Sequence, residues 1–254
     1  MATNTVIITA TDGFSGTIAA IISGAGGSNY DDSQPVQVDC YSKGEDSAVS
    51  THPAGGGFDR KTFTPNPAHE FSGNPNDGEK CYLINSTLDE LVARAWNGGF
   101  DGPGTPGYGD TGDLFFTGGL AGADYDSDPE RHFGGGGGCG GPDGNGENGE
   151  DGTIAGPGVG GAGGGGLAGA GGLGRNRTAG SEADAENGGN YGGGAGAGSQ
   201  SGITAGAAAV VITYTVLAAS GPANLKSCAG VVKASVKQIC GVDLANIKSV
   251  SGVV

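Results

Sequence analysis

Apolar residues cluster at the two ends of the chain and leave its middle almost bare. Near the start, residues 5–10 (TVIITA) and 17–23 (TIAAIIS) are β-branched apolar runs separated by Asp12, Gly13 and Gly16, which predicts a strand pair. Residues 36–41 (VQVDCY) alternate apolar and polar, the mark of a half-buried strand. Residues 42–80 are polar and carry Pro53, Pro65, Pro67 and Pro75, and they read as a surface loop. A helix is expected over 88–97: Thr87 and Glu90 have the spacing of a capping box, and Gly98 stands where a C-terminal cap is wanted. Leu88, Leu91, Val92, Ala95 and Trp96 would then form one apolar stripe, with Trp96 plugging a small core. The strongest strand signal, residues 207–216 (AAAVVITYTV), is expected to return to the N-terminal sheet.

Between these ends, residues 98–206 hold 43 of the 58 glycines. Their spacing is often three, as at Gly135, Gly138, Gly141 and Gly144, at Gly146, Gly149 and Gly152, and at Gly160, Gly163, Gly166, Gly169 and Gly172. Three residues per turn is the period of the polyproline II helix, in which a crowded neighbour at every third position admits only glycine. Collagen is excluded, because the triplet is interrupted and the chain has only 11 prolines. Ordering such a block costs about 1–2 kcal/mol per residue, and side chains are too few to offset it. Backbone hydrogen bonds between neighbouring rods are the remaining source, since a lone rod makes none internally. The expected fold is therefore mainly β with one short helix: a small β-sheet clamp enclosing a polyglycine II helix sandwich, plus a C-terminal segment of 11-residue repeats. In domain terms, 1–217 is a glycine-rich unit, with 1–97 and 207–217 as the clamp and 98–206 as the glycine block, and 218–254 is the repeat segment.

Composition narrows the function. Only 6% of residues are aromatic and 15% charged, so no large oily core is available. A net charge of −15 argues against nucleic acid and anionic membrane, both of which reward clustered Lys and Arg. No apolar run is long enough for membrane insertion, and the first residues lack the pattern of a secretory signal. Cys40, Cys81, Cys139, Cys228 and Cys240 are scattered without a CxxC pair, which argues against a disulfide scaffold or zinc site. His52, His69 and His132 are far apart and no nucleophile motif accompanies them, so the chain reads as a non-enzyme without a cofactor. The GxGxxG at 158–163 lacks the strand and helix context of a nucleotide site. Asp124, Asp126, Asp128 and Glu130 alternate as calcium ligands often do, but Pro129 stands where the loop needs glycine, and an acidic turn is the plainer reading. Asp143, Asn145, Glu147 and Asn148 pose the same choice.

The tail repeats every 11 residues, with Lys226, Lys237 and Lys248, then Gly230, Gly241 and Gly252, then Val231, Val242 and Val253 in matching places. Glycine in every copy disfavours a continuous helix and favours a short turn with a short strand. Leu225, Cys228, Val231, Val236, Ile239, Val242, Ile247, Val250 and Val253 would be exposed in an isolated tail, too short to fold alone, and are expected to be covered by assembly.

The order of strand, GAGG, capped amphipathic helix ending in NGG, long glycine block and AVVITYT strand resembles the glycine-rich domain of bacteriophage tail and fibre proteins. The tail is similar to the I-K-x-V-x-G-V repeats of phage virion proteins. The 42–80 excursion departs from that pattern. The resemblance implies stacked polyglycine II rods and a virion location, acting as a rigid scaffold in a tail or fibre. The alternative it implies is a receptor-binding adhesin, in which loops 101–112, 124–133 and 178–191 contact the host surface. Expected partners are other virion proteins, copies of the same chain, most simply as a trimer, and a host surface receptor. A glycine-rich ice-binding protein is a more distant reading, disfavoured by the Asp and Asn interruptions.

Overall fold

The computed structural model describes residues 2–9, 12–46, 52–99, 104–127, 130–178, 181–198 and 203–217, together with four short strands of the tail. Among the described residues the protein is mainly β with one short helix.

Strands β1 (Thr3–Ile8), β3 (Val36–Tyr41), β4 (Phe58–Phe63), β8 (Leu114–Phe116) and β13 (Ala209–Thr215) form one antiparallel sheet in the order β1-β13-β3-β4-β8. The strand from the far end of the chain thus sits inside the sheet, with Ile212 opposite Val6 on one side and Val38 on the other. A second sheet, β2 (Phe14–Gly16), β5 (Phe71–Asn74), β6 (Lys80–Asn85) and β7 (Glu90–Trp96), lies against it in that order. Helix α1 (Ile18–Gly24) joins the core between them. Val36, Val38, Leu83, Phe71, Val210 and Ile212 are almost wholly buried there. Two thiols from opposite sheets, Cys40 and Cys81, are buried in this layer, and Cys81 Sγ donates to the Ala209 carbonyl at 3.3 Å.

Three expectations fail, each for a physical reason. The run 17–23 is helix α1, not a strand: Ile18, Ile21 and Ile22 are buried at helical spacing while Ala19 and Ala20 face solvent, and the Thr17 hydroxyl caps the Ala20 N–H at 3.2 Å. The segment 88–97 is not a helix but the strand β7, whose Ala93 and Ala95 point inward and whose Arg94 and Trp96 point out. Its supposed cap is a hairpin turn, in which Asn85 Oδ1 accepts the Thr87 and Leu88 N–H groups and Asp89 takes a left-handed φ of 52°. Thr87 instead accepts the Glu70 N–H through its hydroxyl, Leu88 is 52% exposed, and Trp96 is no core plug. Residues 42–80 are not a loop, since they hold β4, β5 and the start of β6, with Phe58 and Phe71 buried. Strand β4 reads as polar because its charges are satisfied in place. Arg60 forks onto Asp39 with two 2.7 Å bonds. The buried Asp59 carboxylate accepts N–H groups of Arg94, Thr111 and Gly112, tying the first sheet to β7 and to the 110–113 turn.

The glycine-rich segments stack beside this sandwich. Segment 133–141 donates N–H bonds in strict rotation. Gly135 and Gly138 bond Glu150 and Glu147; Gly136 and Cys139 bond Gly172 and Gly169; Gly137 and Gly140 bond Pro53 and Gly56. Its carbonyls rotate likewise, accepting from Gly122 and Gly119, from Gly158, Gly161 and Gly164, and from Ala197 and Gly194. Every third residue returns to the same neighbour, and the segment is surrounded on six sides. Side chains do not fit there: a Cβ at Gly138 would lie 2.0 Å from the Ala162 carbonyl, and one at Gly137 would lie 2.0 Å from that of Gly119. The glycine run 160–172 is not one straight segment, because it reverses at a turn over 165–167 where Gly166 has φ 60°.

In the tail, Ser227–Cys228 (β14) pairs with Val231–Val232 (β15), and Gln238–Ile239 (β16) pairs with Val242–Asp243 (β17). The two hairpins are offset by 11 residues.

Candidate functional site

Two of the loops that leave the glycine segments meet. Strands β9 (Tyr125–Ser127) and β10 (Glu130–His132) form a hairpin from the 124–133 loop, and β11 (Asn176–Thr178) and β12 (Ser181–Ala183) form another from the segment near 178. Strand β10 pairs with β11, joining them into one four-stranded sheet in the order β12-β11-β10-β9. Nothing local in either sequence announces this partnership. Residues 128–129 and 179–180 lie outside the described residues.

Side chains alternate across this tip as a sheet requires. His132 is 3% exposed and its ring lies 6.3 Å from that of Tyr125, so one face packs on the body. On the other face Arg131 forks onto Asp126 at 2.8 and 2.5 Å, with both side chains about half exposed. That hydrogen bond holds the Asp126 carboxyl below the usual carboxylate range. The register places Asp126, Arg131, Arg177 and Glu182 in one row across the four strands.

The acidic candidates for calcium have the following partners. Asp126 is occupied by Arg131, and Asp124 accepts the Gly134 N–H at 3.1 Å with His52 Nε2 3.9 Å away. Asp128 and the side chain of Glu130 lie outside the described residues. Among the described residues no three His, Cys, Asp or Glu side chains converge as metal ligands. The second acidic stretch has another job. Asn145, Asn148 and Asp151, three residues apart, accept the N–H groups of Thr117, Leu120 and Ala123 at 3.1, 2.9 and 2.7 Å. Asn187 and Asn190 do the same for Thr204 and Ala207. These side chains satisfy backbone donors of the glycine-rich segments.

A second surface cluster was invisible while 88–97 read as helix. Arg94 and Lys80 lie 4.7 and 5.2 Å from the Trp96 ring centre, Tyr108 stacks at 6.1 Å, and Asp110 accepts from both Arg94 and Trp96 Nε1. The strand alternation from Lys80 to Tyr82 and from Arg94 to Trp96 is the signal that finds it. Of the proposed assembly residues, Cys228 stands opposite Val231 and Ile239 opposite Val242 in the two tail hairpins. Leu225, Val236, Ile247, Val250 and Val253 lie outside the described residues.

The fold is thus a mainly antiparallel β protein with a glycine-rich stack and a composite tip. No family model, curated protein or solved structure matches the chain.

Proposed function

We propose that the protein is a structural component of a phage virion, a rigid scaffold in a tail or fibre, built around a polyglycine II sandwich. The observation that carries this reading is segment 133–141, whose backbone bonds rotate among six neighbours with a period of three. That is the hydrogen-bonding habit of packed polyglycine II rods, and it makes a stiff body without a large apolar core. The tail hairpins, offset by 11 residues, support the reading of 218–254 as repeats that dock or self-associate. The sequence resemblance supplies the virion setting. Purified particles analysed by mass spectrometry, with a tagged copy located by electron microscopy, test it: the protein should be found as a stoichiometric tail or fibre component. Its absence from particles overturns the reading.

A second reading, a host-binding adhesin, is favoured by the composite tip, where two distant loops are held together with Asp126 and Arg131 outward. Purified protein should then compete with phage for adsorption to host cells, and Arg131→Glu should remove the competition. Both readings are of a binding protein that acts without catalysis or cofactor.

A further inference from the structure

We propose that the face made by segments 117–124, 144–152 and 156–164 receives the C-terminal segment 218–254 of a second copy of this chain. The inference deepens, and rests on, the reading of the tail as the assembly element.

The three segments lie side by side with 144–152 in the middle. Gly146, Gly149 and Gly152 bond the Thr117, Leu120 and Ala123 carbonyls on one side, and Glu147 and Glu150 bond those of Ala162 and Val159 on the other. The face is therefore regular, with a repeat of about 9 Å along each segment if the rise is that of a polyglycine rod. Large apolar groups stand out from it: Val159 is 54% exposed and Leu120 45%. The charges among them are all negative, with Glu147, Glu150 and Asp151 exposed and neither Lys nor Arg anywhere in these three segments. Two such faces repel each other, so the complement must be apolar and basic.

The tail has that chemistry. In a chain of net charge −15, residues 218–254 hold Lys226, Lys233, Lys237 and Lys248 against a single acid, Asp243, among valines and isoleucines. The described part of the chain also ends away from that face. Strand β13 starts at Ala209 beside Tyr41, whose hydroxyl accepts the N–H of Leu167 in the glycine stack. It ends at the opposite edge, where Thr215 faces Thr3 and Leu217 bonds Asn29. Leu217 thus lies at the sheet edge away from the glycine stack of its own copy. The contact is heterologous, tail onto face, and propagates copy by copy into a ring or filament.

Sedimentation of the full chain tests this. Self-association is expected, weakening as salt rises. Glu147→Lys with Glu150→Lys should weaken it at least tenfold, as should Lys237→Glu with Lys248→Glu, and the four changes combined should restore much of the loss. Should the first pair misfold by circular dichroism, Val159→Asp at its exposed position replaces it with the same expected loss. If ending the chain at Leu217 abolishes association but changes on the face do not affect it, the tail remains the assembly element and this docking face is refuted. If the truncated chain associates as the full one does, or the full chain is monomeric, both readings fall.

Discussion

Asn148 Oδ1 accepts the N–H of Leu120 at 2.9 Å, with a matching bond three residues before and after it. A stack of glycine-rich segments must end somewhere, and its last member has N–H groups with no neighbour. An asparagine or aspartate side chain, placed every third residue on the adjoining segment (Asn145, Asn148, Asp151), takes the place of that missing carbonyl. Asn148→Ala is expected to cost about 1 kcal/mol, the usual net value of one hydrogen bond. Asn148→Asp, which keeps the acceptor, should cost less. Hydrogen exchange at Leu120 should rise in the alanine variant alone; equal exchange in both would remove the side chain from this role.

Glycine is required in the middle of the stack for space. Gly138→Ala puts a methyl 2.0 Å from the Ala162 carbonyl, so the backbone must shift and stability should fall by about 3 kcal/mol. Ala162→Val, at an exposed position on the facing segment, should stay within about 0.5 kcal/mol. Chemical denaturation of the two variants decides the matter, and similar losses would contradict the packing.

The thiols of Cys40, Cys81 and Cys139 are free and fully buried. Interaction with Cys81, then burial, pushes the Cys40 thiol well up, and burial does the same to Cys139. Iodoacetamide at about pH 8 should leave all three unlabelled in native protein and label them in denaturant. Peptide mapping reads this directly; rapid native labelling of Cys40 or Cys81 would show that the sandwich opens, and of Cys139 that the glycine stack does.

Two aspartates respond to pH in opposite senses. Burial raises the Asp59 carboxyl despite its three backbone donors. Its contribution is greatest below the unfolded-state value and is lost as pH rises through the raised folded value. Burial also works to raise Asp110, but hydrogen bonds from Arg94, Thr111 and Trp96 outweigh it and hold the group below the ordinary 3.8. That contribution is present above 3.8 and is lost as pH falls through the depressed value. The stability gap between wild type and Asp110→Asn should therefore close in strong acid, whereas Asp59→Asn should remove a loss that grows as pH rises. Denaturation curves across acidic pH check both signs.

The sequence by itself determined what needs only local rules. The alternation in 36–41 and the β-branched run at 209–215 are strands wherever they pack, because their periodicity matches the pleat. The three-residue glycine spacing records the crowding of a packed segment. Tertiary structure decided the rest. The run 88–97 satisfies a helical stripe and a strand alternation at once, and only pairing with β6, where Ala93 and Ala95 fit against the first sheet, selects the strand. The run 17–23, apolar enough for either state, becomes a helix because only one stripe of it meets the core. Strand β4 was hidden because Asp59 and Arg60 look like loop residues until Gly112, Arg94 and Asp39 surround them. The union of the 124–133 loop with the segment near 178 is a long-range pairing of backbone groups, and neither stretch carries in its own side chains the identity of the edge it meets.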